Sequence, residues 1–187
     1  MDALLKGLPL DYLAACDFQK TGKTWQAILP AASLVRAAER LLAADYFVED
    51  ISALDCVEGY VVTYHFAHFH KPGRVALRVI APHDAPSVPS IAGIFQGAEW
   101  HERETRDFHG VVFQGNPNFI PLLIDPDMAD CFPLRKDPKS RARMRDILEA
   151  GEVVHCGPGF GLMTPDAPAE AQASSQSEAA AGDKATA

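Results

Sequence analysis

Residues 111–140, VVFQGNPNFIPLLIDPDMADCFPLRKDPKS, most limit the folds open to this chain. Pro117, Pro121, Pro126, Pro133 and Pro138 recur through the stretch. Each fixes φ near about −65° and removes a backbone donor, so neither a helix nor a central strand can run through it for long. Such a segment reads as extended, turning chain that hugs a surface. Its backbone polar groups must then be satisfied by something other than a ladder of their own.

Upstream, the pattern supports a sheet covered by helices. Pro30 precedes AASLVRAAERLLAADYF, in which Leu34, Val35, Ala38, Leu41 and Leu42 share one helical face while Arg36, Glu39 and Arg40 lie off it. Proline suits a helix start because the first turn has no intrahelical use for its amides. Strands are predicted over 47–54, over 59–69 (GYVVTYHFAHF) and over 75–80 (VALRVI), where β-branched and aromatic residues dominate. Lys71-Pro72-Gly73 joins the last two as a hairpin, since proline presets a turn and glycine permits positive φ. A proline-rich connection over 82–90 leads into helical spacing of Ile91, Ile94, Phe95, Trp100, Arg103 and Asp107, which stops at Gly110, a C-cap residue type. Residues 140–151 (SRARMRDILEAG) read as a short helix with Met144, Ile147 and Leu148 apolar. The chain therefore divides into a weakly patterned arm or short helix over 1–25, an α/β core over 26–115, an extended arm with a short helix over 116–163, and a tail over 164–187. That tail is poor in large hydrophobics and expected to be disordered. The fold class is α+β: a mixed β-sheet covered by helices, followed by an extended C-terminal arm.

Composition excludes several functions. With 187 residues, 48% of them hydrophobic, the chain can bury a core, while a net charge of −8 disfavours nucleic-acid binding through its overall field. No run is long and apolar enough to span a bilayer, and MDALLKGLPLDYLAACD lacks the basic start and apolar core of a secretory leader, so a cytoplasmic protein is expected. Cys16, Cys56, Cys131 and Cys156 are scattered without a CxxC pair, which reads as reduced thiols rather than a cluster or zinc site. Thr21-Gly22-Lys23-Thr24 lacks the upstream glycine of a phosphate loop, since Asp17 stands there. His68 and His70 share a strand face and His65 points away, with no third ligand fixed by spacing.

Two charged runs stand out. In residues 99–107, EWHERETRD, Glu99 with Arg103, Glu102 with Arg106 and Arg103 with Asp107 are spaced for helical ion pairs. Exposed pairs contribute only about 0.3–0.5 kcal/mol each. The interleaved Trp100 and Phe108 argue that this helix also buries a stripe. An acid–base reading would use Glu102 or Glu104 with His101 or His109, but nothing places a substrate beside them. In residues 135–145, Arg135, Lys136, Lys139, Arg141, Arg143 and Arg145 face the single acid Asp137, a local charge of +5. Without interleaved aromatics such a patch fits a protein partner better than a nucleic acid.

WHERETRDFHGVVFQGNP followed by FPLRKD resembles the signature of the 30 kDa subunit family of proton-pumping NADH-quinone oxidoreductase, respiratory complex I, with related subunits in energy-converting [NiFe] hydrogenases. Glu102, Arg103, Glu104, Asp107, Gly110, Phe113, Gly115 and Pro117 carry the likeness, with Pro133, Leu134, Arg135, Lys136 and Asp137. Where the family usually reads Gly-His-Pro-Asp, this chain has Gly115-Asn116-Pro117-Asn118. The resemblance implies a subunit with no redox cofactor, metal or catalytic residue of its own; iron–sulfur clusters, flavin or a nickel–iron site are expected on partner chains. It implies packing against the large, 49 kDa-type subunit that borders the quinone site and against neighbouring iron–sulfur subunits, peripherally at the cytoplasmic face of the inner membrane. Glu102, Arg103, Glu104 and Asp107 are then expected to brace the helix against the arm or the large subunit, and Arg135 and Lys136 to pair with carboxylates across that interface. The equivalent subunit of an energy-converting hydrogenase is the alternative, and a stand-alone binding module using the basic arm is the remote one.

Overall fold

The computed structural model describes residues 1–128, 130–158 and 160. Helices α1 (Asp2–Leu5), α2 (Phe18–Thr21), α3 (Leu34–Ala43) and α4 (Ala98–His109) alternate with strands β1 (Tyr12–Cys16), β2 (Trp25–Ile28), β3 (Tyr46–Cys56), β4 (Gly59–His68), β5 (Arg74–Ala81), β6 (Ser87–Pro89), β7 (Val112–Gln114) and β8 (Gly151–Cys156). Six strands form one mixed sheet in the order β3-β4-β5-β2-β1-β8, and β6 pairs with β7 separately. All neighbours in the large sheet are antiparallel except β2 and β5. The α+β class expected from the sequence is the class observed.

The hairpin of β4 and β5 is the backbone of this sheet, in register from Tyr60 opposite Ala81 to Ala67 opposite Arg74. Gly73 turns it with φ 115°, a conformation closed to residues with a side chain. Alternate β4 residues point to opposite faces: Tyr60, Val62, Tyr64 and Phe66 join the main core, while Val61 joins a smaller cluster on the other side. Helix α3 covers the main face with Leu34, Ala37, Ala38 and Leu41, all fully buried. Each of its buried leucines contributes about 2 kcal/mol by leaving water. Leu42, expected on that face, is 48% exposed, because the buried stripe runs through Ala37 instead.

The first 25 residues, expected as an arm or short helix, hold the two short helices α1 and α2 and, between them, a strand of the main sheet. Strand β1 lies between β2 and β8 with Tyr12, Leu13 and Ala14 all buried, and a three-residue apolar run with no alternation gives no period-2 signal. The arm also folds otherwise than expected. Residues 140–151 form no α-helix: a 3₁₀ turn over Met144–Asp146 seats the Met144 side chain under the sheet, and β8 begins at Gly151. Extended chain covers about 3.3 Å per residue against 1.5 Å in a helix, and this segment must cross from the β3 edge to β1. The sheet thus draws strands from the expected arms at both ends. The tail over 164–187 lies outside the described residues.

Glu149 fixes this strap. Its carboxylate accepts Nη2 of the buried Arg78 at 3.0 Å and meets Nζ of Lys23, while its carbonyl accepts Gln26 Nε2 at 2.6 Å. Gln26 Oε1 accepts Arg78 Nη1 at 3.0 Å, completing a closed network. Burial alone would raise the Glu149 carboxyl, but the Lys23 bond and the Arg78 charge outweigh it and hold it below the ordinary range. Glu149→Ala leaves Arg78 buried without a counter-charge and is expected to cost about 3 kcal/mol in urea unfolding. Adding Arg78→Met should restore part of that loss. An equal or larger loss in the double variant would contradict the network.

Candidate functional site

Helix α4 carries most of the motif and packs along β3, the edge strand. Thr105 Oγ1 donates to the Ile51 carbonyl at 3.3 Å, occupying an edge acceptor of the sheet. Gly110 ends the helix in the left-handed conformation, its N–H 2.7 Å from the Arg106 carbonyl. A side chain there would also collide with the Arg135 guanidinium and press the Phe132 ring at 3.0 Å, so Gly110 is required twice over.

Three charged residues of α4 are buried rather than solvated. Glu102 is 0% exposed: Oε1 accepts the Ile91 N–H at 2.8 Å, and Oε2 accepts Ser90 Oγ at 2.6 Å and Asn116 Nδ2 at 2.8 Å. Burial raises its carboxyl, and those three donors oppose the rise without cancelling it. Asp107 is 1% exposed, and its Oδ2 gathers the N–H groups of Leu122, Leu123 and Ile124 at 2.7, 2.8 and 3.1 Å. Burial would raise this carboxyl too, but three amides and Arg106 overcome it and hold it low. Arg103 donates from Nε to the Ile120 carbonyl at 3.0 Å and from Nη2 to the Pro121 carbonyl at 3.1 Å. Of the expected helical ion pairs only Glu99 with Arg103 forms, at 3.5 Å. Asp107 is turned to backbone that lacks a ladder and Glu102 to one amide and two side-chain donors, where a buried charge finds stronger partners than on a wet helix face.

These contacts hold residues 115–124 in one shape. Gly115 turns the chain with φ 90°, Asn116 reaches back to Glu102, and Pro117 is exposed beside it. Phe113 is buried on β7 opposite Val88 and anchors the start of the loop. The loop then presents Ile120 at 57% and Leu123 at 60% exposure, near Trp100 at 62%. Trp100 therefore does not sit in the buried stripe expected of it; it lies outside, under the Arg103 guanidinium at 5.7 Å. Glu104 is exposed on another side of the helix, at a crevice with Thr105, Phe108, His109 and Leu134.

The second half of the motif forms a separate cluster. Leu134 is exposed with its N–H 3.1 Å from the Phe108 carbonyl. Arg135 Nε donates to the His109 carbonyl at 2.9 Å, and its guanidinium lies 4.0 Å from the Phe132 ring and 5.7 Å from Tyr60. The Lys136 N–H donates to Asp55 Oδ2 at 2.8 Å. Pro133 is exposed, and the Asp137 carbonyl accepts the Ser140 N–H at 2.8 Å and its hydroxyl at 2.9 Å. Arg135 thus has its main contacts within the chain. Asp55, at the centre, was not singled out from the sequence. Its buried Oδ1 lies 2.8 Å from both His83 Nε2 and Arg141 Nε. Burial would raise it; the Lys136 amide and His83 bring it below the ordinary carboxylate value. The available signal was a lone acid between Leu54 and Cys56 at the end of the strand run ISALDC.

The acid–base reading loses Glu102, which is closed off from solvent by its donors; Glu104 and His109 line the shallow crevice beside β3. Among the described residues no group of three His, Cys, Asp or Glu side chains is arranged to hold a metal, and no helix is long and apolar enough to cross a membrane.

Residues 26–144 match the family model described as respiratory-chain NADH dehydrogenase, 30 Kd subunit. The chain belongs to this family. Its members similar to this chain include the C subunit of NADH-quinone oxidoreductase from Chloroherpeton thalassium, 40% identical over 62% of this chain and 46% of that one. The C subunit of F(420)H(2) dehydrogenase from Methanosarcina mazei is 36% identical over 40% of this chain and 47% of that one. The chain thus spans about half the length of these curated relatives. A chain in the structure of the membrane-bound sulfane sulfur reductase, an archaeal respiratory membrane complex, superposes with TM-score 0.62 at 21% identity, over 78% of this chain and 85% of that one. That likeness supports the fold alone. The 30 kDa family match ends at residue 144, the first residue of the 3₁₀ turn that leads to Glu149 and β8.

The two buried carboxyls of α4 shift in opposite directions, so their variants should respond oppositely to pH. Asp107 titrates lower folded than unfolded, so its stabilisation is full above the unfolded value of about 4 and is lost as pH falls. Glu102 titrates higher folded, so its ionisation costs stability as pH rises through the raised value. Urea midpoints from about pH 3 to 7 should show Asp107→Asn losing ground to wild type as pH rises, and Glu102→Gln gaining. Slopes of the same sign would contradict the arrangement.

Proposed function

We propose that this chain is a non-catalytic subunit of a complex I-type quinone oxidoreductase. It packs against the large subunit bordering the quinone site, peripherally at the cytoplasmic face of the membrane. Iron–sulfur clusters and flavin reside on partner chains, and this chain supplies a shaped surface that supports electron transfer coupled to proton translocation. One observation carries the reading: the buried motif charges Glu102, Arg103 and Asp107 each bind backbone of this chain, and the loop that Arg103 and Asp107 shape presents apolar side chains outward. Ile120 and Leu123 project from loop backbone already fixed by Arg103 and Asp107, and Trp100 stands exposed on α4 beside the Arg103 guanidinium. An exposed Trp beside an Arg is hot-spot composition, and the prior ordering of the loop lowers the entropy cost of docking. The names of the relatives, C subunits of NADH- and F420H2-linked complexes, agree with a role in assembly.

Ile120→Ser with Leu123→Ser tests this. Both side chains are more than half exposed, so the melting curve of the free chain should move by only about 0.5 kcal/mol. Affinity purification from native membranes should recover the large subunit with the wild type and lose most of it with the double variant, with a parallel fall in quinone reductase activity. Normal assembly and activity of the double variant would overturn the reading.

A further inference from the structure

We infer that the strap over residues 134–144 is a second docking surface, built for an acidic face of a partner protein. The inference rests on the subunit role proposed above and concerns a different side of the chain. Lys136, Lys139 and Arg143 are exposed, and none of the ion pairs among the described residues includes them. The other two large cations of this stretch are engaged: Arg141 lies on Asp55, and Arg135 on the His109 carbonyl and Phe132. Among the described residues of a chain with net charge −8, one short strap therefore carries three cations outside any ion pair, with Asp137 the single acid between them.

Their backbone is held in place. The Lys136 N–H is bound by Asp55, the Ala142 carbonyl accepts the Val57 N–H at 3.0 Å, and the Met144 N–H donates to Glu58 Oε2 at 2.9 Å. Met144 itself is fully buried under the sheet. The cations thus stand on a rigid strap across the β3–β4 turn rather than on a loose tail. Around them lie apolar side chains open to solvent: Leu54 near the end of β3, Val57 in the turn, and Leu134.

Fixed cations among exposed aliphatic groups favour a protein over a polyanion. Local pairs act within about 8 Å at physiological salt, while the chain's overall negative field repels an extended anionic bilayer or a nucleic acid at longer range. A complementary acidic patch meets the three cations at short range and covers Leu54, Val57 and Leu134 as it does so.

The test uses the full chain in its membrane assembly, with the variant Lys136→Glu/Lys139→Glu/Arg143→Glu, which leaves Asp55, Arg135, Arg141 and Glu149 intact. Thermal melts of the free chains establish that the variant folds. Zero-length carboxylate–amine cross-linking of the purified wild-type assembly should join Lys136 or Lys139 to an Asp- or Glu-containing peptide of another subunit. Amine labelling of both lysines should fall about tenfold from free chain to assembly, and recovery of partner chains with the variant should fall about tenfold. A chain that co-purifies with its partners while both lysines label as in the free state overturns this inference and leaves the proposed function standing. Flotation of the wild type, but not the variant, with phosphatidylcholine–phosphatidylglycerol vesicles overturns it in favour of lipid. Failure of the wild type to bring down any partner removes the proposed function, and this inference with it.

Discussion

Three consecutive amides converge on one buried carboxylate, and the shape of the whole 115–124 loop beside α4 depends on that contact. Leu122, Leu123 and Ile124 lie between Pro121 and Pro126, so they cannot find donors or acceptors in a ladder. Asp107 takes their N–H groups, and Arg103, one helical turn earlier, takes the carbonyls of Ile120 and Pro121. At this spacing the two side chains could have paired with each other on the helix surface. They diverge to opposite polarities of the same loop instead, and one turn of helix becomes a template for irregular chain.

The device recurs. Asp55 holds the start of the strap through the Lys136 amide and Arg141, Glu58 holds Met144, and Glu149 closes the far end on Arg78. Asp55 and Glu58 thus accept strap amides that no ladder satisfies, and Glu149 ties the far end to the sheet through charged side chains. An acidic protein can use its excess of acids in this way because a carboxylate in reach of amides and guanidinium groups stays ionised even when desolvated. The arm is thereby folded onto its own sheet, with β8 paired to β1, and does not wait for another chain to order it.

The long β4–β5 hairpin, helix α3 and the capped end of α4 were legible because each carries a strong periodic or turn signal. Strand β1 was hidden by burial on both faces, and the strap by an amphipathic spacing that a 3₁₀ turn and extended chain satisfy equally well. The candidate site was legible as residues but not as contacts. Glu102, Arg103 and Asp107 were recognisable as special, yet their partners lie 11 to 18 residues away in sequence, in loops without a pattern. Asp55 shows the limit most clearly, since its backbone anchor at Lys136 lies 81 residues further along the chain.

Buried charge, on this account, shapes the 115–124 loop before any partner arrives. Amide hydrogen exchange on the isolated chain addresses it directly. The amides of Leu122, Leu123 and Ile124 should exchange about a hundredfold or more slowly than in an unstructured peptide, although the loop has no regular structure. Exchange at the unprotected rate in the free chain would show that the partner, not Asp107, gives the loop its shape.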